Sequence, residues 1–180
     1  MVNLVNERKQ VVFGKDSIVI QKFIAGIKGG RGLEVTDFPL DVIEAGHVII
    51  KLSNEKYAPM PLKKEDVYKE KAVTTGASVK GLYTKSGSTY TACGDSDVAV
   101  EGTTYYEKVA GDNYIYSSLP DGAAYAGILV ASISKDRPAA SIMTIGQVNS
   151  EVVPFSMTAI LSAFKSACPH IEFIKDEVSL

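Results

Sequence analysis

Short β-prone runs recur along the chain, and their close spacing is the feature that most restricts the fold. Runs such as "SIVIQKFI", "HVIIKL", "STYTAC" and "AGILVASI" are separated by turn-forming stretches such as "KSGS" and "AGDN". Short strands at this spacing are typical of barrels and sandwiches. Nine tyrosines suit half-buried pleated surfaces. The sequence therefore predicts an all-β fold, either a β-barrel or sandwich-like.

Two stretches have a pattern that a helix would explain. The segment from Ser156 to Ala167, "SMTAILSAFKSA", has a serine placed as N-cap, and Pro169 then ends the helix. The charged segment from Lys63 to Lys71 is either a marginal helix or a solvated linker. We therefore expect one short C-terminal helix beside the strands.

A weak internal repeat marks the middle of the chain. The segment from Leu82 to Thr91 resembles the segment from Tyr105 to Ile115, and each reads as strand, glycine turn and strand. We expect a tyrosine-rich β-hairpin insertion at 63–117, within a β core formed by 23–62 and 118–180. Its tyrosines either form an exposed surface that contacts glycans or cells, or pack a hairpin with little other core. They are Tyr83, Tyr90, Tyr105, Tyr106, Tyr114 and Tyr116.

Composition argues against several partners. The chain has 19 basic and 21 acidic residues, a net charge of −2, so no basic excess favours nucleic-acid binding. Two cysteines without a C-x-x-C spacing predict a reduced, intracellular protein. The start, "MVNLVNERKQ", lacks the order of a signal peptide, and the apolar run at 123–133 is too short to span a bilayer. We expect neither a nucleic-acid nor a membrane partner.

Histidine and cysteine provide little catalytic chemistry. His47, in "EAGHVII", reads as a satisfied histidine at a strand edge. Only a proline separates Cys168 from His170, whereas catalytic thiol–imidazole pairs usually meet across a fold. These patterns predict no catalytic residue.

Two loops resemble ligand loops without matching them. "GIKGGRG" lacks the phosphate-loop pattern, and "GDSDVAVEG" departs from the calcium-loop order. We therefore expect no enzyme, metal or cofactor. The alternative is a small metal-dependent hydrolase that uses Asp95, Asp97 or Glu101.

The stretch "LPDGAAYAGILVAS" reads as a packing element. A turn at Asp121-Gly122 leads to small residues that let backbones approach closely, and Gly127 occupies a place where a side chain would obstruct a neighbouring strand. The apolar run after it suits a strand buried on both faces, in a core or at a subunit interface. The expected subunit-packing residues are Ala123, Ala124, Gly127, Ile128 and Leu129.

"DGAAYAGIL", residues 121–129, resembles the D-G-A-A-x-G-I-L stretch of the phage lambda head decoration protein family, with one residue more at Tyr125 or Ala126. The order that follows is also similar: a strand, "EVVPF", a short helix and a terminal strand. Upstream, "DFPLDVIEAGHVIIKLSNEKYAPM" is similar to another element of decoration-type proteins. The tyrosine hairpins resemble modules of phage fibre and head-fibre proteins, while the insertion at 63–117 departs from the family.

The resemblance implies a β-rich virion subunit without enzymatic activity or cofactor. Such a subunit is made in the host cytoplasm, is often a homo-trimer, and cements the major capsid protein from the capsid exterior. It also implies an N-terminal arm, here residues 1–22, that contacts the capsid by adding a strand. The arm residues expected to make this contact are Val11, Phe13, Ile18 and Ile20. Alternatively, these residues form the first strands of the domain itself. The rival function is a tail-fibre or baseplate-associated adhesin that binds host-surface carbohydrate.

Overall fold

A computed structural model describes residues 16–27 and 30–175 of the chain. The chain divides into two compact units. Unit 1 comprises the described residues up to Leu62 and from Tyr116 onward, and unit 2 comprises Lys63–Ile115. The prediction of an all-β fold with one short C-terminal helix is confirmed.

Strands dominate the order of elements. The first half contains α1 (Asp16–Val19), β1 (Ile20–Gly26), β2 (Arg31–Gly32), β3 (Val42–Ile43), β4 (Val48–Lys51), β5 (Tyr57–Pro59), β6 (Leu62–Lys71), β7 (Leu82–Ser86) and β8 (Thr89–Ala92). The second half contains β9 (Tyr105–Tyr116), β10 (Ala124–Leu129), β11 (Ile133–Ser134), β12 (Ala139–Ala140), β13 (Ile142–Asn149), α2 (Leu161–Ala167) and β14 (Ile171–Ile174).

Unit 1 is built on a six-stranded sheet with β13 at its centre. Along the sheet the order is β1-β13-β10-β4-β5, and β14 also pairs with β13. Strand β10 pairs with the start of β13, and β14 pairs in parallel with its second half, so both lie on the edge opposite β1. Strand β1 is therefore an outer strand of this sheet.

The inner strands β4, β10 and β13 carry buried residues on both faces, which explains why they read as continuous apolar runs. Neighbouring residues alternate between two core clusters. Val48, Ile128 and Met143 belong to the first cluster together with Phe164 of α2. Their chain neighbours belong to the second cluster: Ile49, Leu129 and Ile142. The prediction of a strand buried on both faces is thus confirmed for β10.

A β-bulge interrupts β10 at Ala126. Tyr125 lies opposite Ile50 and Gly127 lies opposite Ile49, so Ala126 is an extra residue in the strand. Gly127 has a φ of +147°, and a Cβ there would overlap the carbonyl oxygen of Met143 on β13. The prediction that a side chain at Gly127 would obstruct a neighbouring strand is therefore confirmed.

Helix α2 is shorter than predicted. It begins at Leu161 with Ile160 as N-cap, so the prediction of Ser156 as N-cap is wrong. The Ser156 hydroxyl instead accepts a hydrogen bond from the Thr158 backbone (3.4 Å) within a turn. The helix ends before Pro169, as expected.

Unit 2 carries a four-stranded sheet in the order β6-β9-β7-β8. The β7–β8 hairpin is confirmed, but the second predicted hairpin is one long strand, β9. Gly111 is not a turn residue, because a Cβ there would meet Val67 Cγ2 at 2.8 Å and Glu65 O at 3.0 Å on β6. The prediction of a helix or linker at Lys63–Lys71 is also wrong, since β6 covers it.

Candidate interaction surfaces

Three large apolar side chains of unit 1 are exposed within seven residues of one another. Ile18 is 46% exposed, Phe23 is 50% exposed and Ile24 is 57% exposed. The remaining large apolar residues that are exposed in the described chain, Val98 and Val100, belong to unit 2. We call the segment from Ile18 to Ile24 the β1 edge surface.

Strands β5 and β1, which end the main path of this sheet, differ in how their edges are covered. Beside β5, the Glu34 backbone N–H donates to the Tyr57 carbonyl (2.8 Å), Leu33 bridges to Tyr57, and Pro59 removes one donor. Within the described residues, no strand lies beside the outer edge of β1. Register shifts at Gln21 and Ile24 interrupt the pairing of β1 with β13, but an edge with exposed apolar side chains can still pair with another strand.

The domain begins earlier than the predicted arm allows. The Asp16 carboxylate accepts hydrogen bonds from the Ser132 N–H (2.8 Å) and hydroxyl (2.5 Å), and Val19 is buried in the core. Ile20 lies opposite Val148 and packs against the core. It is therefore part of the first strand of the domain itself, which is the alternative to an arm. The predicted boundary after residue 22 falls inside β1.

Of the four predicted arm residues, one is therefore exposed and one packs against the core of the chain itself. Ile18 is exposed, whereas the prediction of Ile20 as a capsid contact is wrong because its side chain packs inward. Val11 and Phe13 lie outside the described residues.

The predicted subunit-packing residues divide in the same way. Ile128 and Leu129 have no exposed surface in the single chain, and Gly127 is also buried. These three are core residues of the chain itself, so assigning them to a subunit interface is wrong. Ala123 is half-buried against the core, and Ala124 is exposed opposite Lys51.

Four tyrosines of unit 2, one from each strand of its sheet, form a ring cluster that we call the tyrosine cluster. Tyr68 on β6 stacks on Tyr90 on β8, with ring centroids 3.9 Å apart and an interplanar angle of 6°. Tyr83 meets Tyr68 edge-on at 5.0 Å, and Tyr106 meets Tyr90 edge-on at 5.2 Å. All four are partly exposed. Tyr68 is not among the tyrosines predicted to be exposed, because the charged residues around it do not show the pattern of a β-strand.

Two of the tyrosines predicted to be exposed are buried. Tyr105 is 6% exposed and packs with Val79 and Ala99, while its hydroxyl accepts a hydrogen bond from the Val100 N–H (3.1 Å). Tyr116 is 1% exposed. Placing these two on a contact surface is therefore wrong, whereas Tyr83, Tyr90, Tyr106 and Tyr114 are partly exposed.

His47 directly precedes β4, as predicted, but it is fully buried in unit 1 and only one of its ring nitrogens has a hydrogen-bond partner among the described residues, so the prediction of a satisfied histidine is wrong. Its Nε2 lies 3.0 Å from the Met60 carbonyl oxygen, which can only accept, so Nε2 carries the proton. Its Nδ1 has no hydrogen-bond partner among the described residues. Burial lowers the pKa of His47 from 6.5 to about 4, against the smaller opposing effect of the Met60 hydrogen bond.

The histidine sits among aromatic rings. Phe38, Tyr116 and Phe155 meet it edge-on with centroids 5.2–5.6 Å away. The Tyr116 hydroxyl accepts a hydrogen bond from the Val48 N–H (3.1 Å), and burial raises the pKa of this hydroxyl above its usual range. Because the pKa of His47 is about 4, its imidazole is neutral at pH 7, and it packs among these rings.

The residues of the rival hydrolase do not gather into a site. Asp95 pairs with Lys80 (3.3 Å), and Asp97 accepts the Gly94 N–H (2.6 Å) to hold its own turn. Among the described residues, no group of three or more His, Cys, Asp or Glu side chains is arranged to hold a metal. Burial raises the pKa of the Cys168 thiol, which disfavours the nucleophilic thiolate.

Comparison with protein-family models, curated proteins and solved structures finds no match for this chain. No helix in the described ranges is long and apolar enough to cross a membrane. The β1 edge surface and the tyrosine cluster are therefore the features from which a function can be argued.

Proposed function

We propose that the protein is a structural virion subunit, a capsid decoration or head-fibre protein that attaches to the capsid through its β1 edge surface. The observation that carries this proposal is an edge strand that no other described strand covers, with Phe23 and Ile24 half exposed. Its partner is a strand of the major capsid protein. Main-chain hydrogen bonds supply affinity in such strand addition, and apolar side chains add buried area.

The bulge in β10 supports the resemblance to the lambda decoration family. The stretch from Asp121 to Leu129 has one residue more than the family pattern, and Ala126 is the extra residue of a β-bulge. A bulge absorbs an inserted residue without shifting the register of the rest of the strand. The strand, helix and parallel strand that follow also keep the expected order.

Each copy binds weakly by this mode. Covering the exposed parts of Phe23 and Ile24 contributes about 1 kcal/mol each, and each net backbone hydrogen bond contributes about 1 kcal/mol. Ordering and association costs offset much of this sum. A homo-trimer that contacts several capsomers at once gains avidity without new contacts.

We expect Ile24→Lys to reduce attachment to capsids by about tenfold or more, because it replaces an exposed apolar side chain, which the partner strand would cover, with a charged one. The measurement is co-sedimentation of purified protein with mature capsids of the encoding virus, stripped of their own copy. Val100→Lys is the matched control, since Val100 is equally exposed but lies in unit 2. Its pelleting should equal that of the wild type.

Truncation separates the arm from the edge strand. Removing residues 1–15 leaves Asp16 and Val19 in place, whereas removing residues 1–22 deletes core contacts and the start of β1.

A folded wild-type protein that fails to pellet, or an Ile24→Lys variant that pellets as well as Val100→Lys, would contradict attachment through β1.

A second candidate function is a tail-fibre or baseplate-associated adhesin that binds carbohydrate through unit 2. The partly exposed tyrosine cluster favours it, because tyrosine rings offer rigid apolar faces with polar tips. Tyr106 is the residue to test rather than Tyr105, whose buried hydroxyl supports the small core of unit 2.

A further inference from the structure

Unit 2 contains a polar cavity of about 400 Å³ beside the turn that joins β7 to β8. Gly87 and Gly102 lie at its wall, and no atom stands within 4 Å of where a Cβ of either would be. The polar residues that line it are Thr84, Lys85, Thr103, Thr104 and Tyr106. Residues that carry hydroxyl and ammonium groups provide the donors and acceptors that a polyhydroxylated ligand needs.

Lys85 provides the charge of this cavity. Lys71, Lys80 and Lys108 of the same unit each form an ion pair with a carboxylate. Lys85 forms none among the described residues, and its ammonium lies 5.4 Å from the centroid of the Tyr90 ring. The ring holds the cation in place without neutralising it, so the cation can pair with an anionic ligand.

Tyr106 lies at the edge of the cavity and is fixed by neighbouring rings. Its ring meets Tyr90 edge-on at 5.2 Å, and Tyr90 is itself stacked on Tyr68. Rings that are fixed by their neighbours lose little conformational freedom when a ligand binds. The apolar C–H face of a sugar ring is a suitable partner for such a ring.

We propose that this cavity binds an acidic carbohydrate, with the carboxylate of a uronic or sialic acid on Lys85, a sugar hydroxyl on Thr104, and a sugar face on Tyr106. This inference rests on the second candidate function and deepens it by naming the ligand class and the site. A simple anion would make no use of Tyr106, and a neutral sugar could accept hydrogen bonds from the ammonium but would not neutralise its charge.

The test is an NMR titration of the full chain with three matched pairs of probes. The pairs are sialyllactose with lactose, a hyaluronan tetrasaccharide with chitotetraose, and oligogalacturonate with the corresponding galactose oligomer. We expect at least one acidic member to bind with a Kd of about 1 mM or tighter and to shift the amides of Thr84 and Thr104. Its neutral counterpart should bind about tenfold more weakly.

Lys85→Met should weaken the acidic member about threefold to tenfold and leave the neutral one unchanged. Lys69→Met is the matched control, because Lys69 is an exposed lysine of the same unit that does not line the cavity. Equal binding of acidic and neutral members, an equal effect of the two substitutions, or no shift at about 10 mM of any probe would overturn the site.

Capsid co-sedimentation of Lys85→Met keeps the two functions apart. Lys85 belongs to unit 2 and the β1 edge surface belongs to unit 1, so this variant should pellet like the wild type. Loss of acidic-sugar binding with intact pelleting supports the site, and shifts confined to Tyr114 would contradict it by placing any sugar elsewhere on unit 2.

Discussion

Replacing Gly127 with alanine is expected to lower the free energy of unfolding by about 3–4 kcal/mol, a large part of the stability of a small domain. Two costs combine at this position. A φ of +147° suits glycine alone, and an added Cβ would overlap the Met143 carbonyl oxygen of the neighbouring strand. Urea unfolding followed by circular dichroism measures the difference.

Gly32→Ala is the matched control for this substitution. No atom lies within 4 Å of a Cβ at Gly32, and its φ is not positive. We expect this variant to stay within about 1 kcal/mol of the wild type. If the two variants unfolded at the same urea concentration, the close approach of β10 and β13 at Gly127 would not be a determinant of stability.

The second large effect is a loss of stability in mild acid that depends on His47. The pKa of this imidazole is about 4 in the folded protein and 6.5 when unfolded, so between these values the unfolded chain binds more protons. The contribution to stability is therefore complete above pH 6.5 and is lost as the pH falls toward 4. At about 1.4 kcal/mol per unit, the loss amounts to about 3 kcal/mol.

His47→Phe should remove this dependence, because phenylalanine fills the aromatic site without a titrating group. The measurement is the free energy of unfolding at several pH values between 7 and 5, where most carboxylates stay ionised. His170→Gln is the control, since His170 is exposed. A slope that persists in His47→Phe and disappears in His170→Gln would show that another group causes the acid sensitivity.

Local patterns were sufficient to predict the β class and the special position of Gly127. Alternation, turn residues and apolar runs are properties of consecutive residues, so the hairpin at β7–β8 and the doubly buried strand β10 were accessible from the sequence. The small residues before Ile128 pointed to close backbone approach for the same reason.

What could not be predicted depends on contacts between distant segments. Tyr105 and Tyr106 are neighbours in the sequence. Tyr105 is buried and Tyr106 is partly exposed because only Tyr105 lies on the side of the sheet that packs against Val79 and Ala99. The sequence predicts a turn at Gly111. The actual reason for a glycine there is the close approach of β6, which is visible only once the strands pair.

The start of the chain illustrates the same limit. A β-prone stretch reads alike whether it pairs within its own sheet or with a partner, and the pairing of Ile20 with Val148 decides between them for β1. Likewise, the apolar character of Ile128 was plain, but whether it packed in a core or at an interface depended on the strands around it.

The hydrogen bond from the Ser117 N–H to the Pro61 carbonyl (2.9 Å) has a consequence for how this chain can vary. Pro61 and Ser117 both belong to unit 1 and lie next to the two points where the chain leaves this unit and returns to it. For unit 1, the 53 residues of Lys63–Ile115 are therefore a loop with closed ends. Because loop-closure entropy grows only slowly with length, a short turn or a different module can replace them at little cost. Unit 1 can in this sense keep its own fold while the segment inserted between Leu62 and Tyr116 changes.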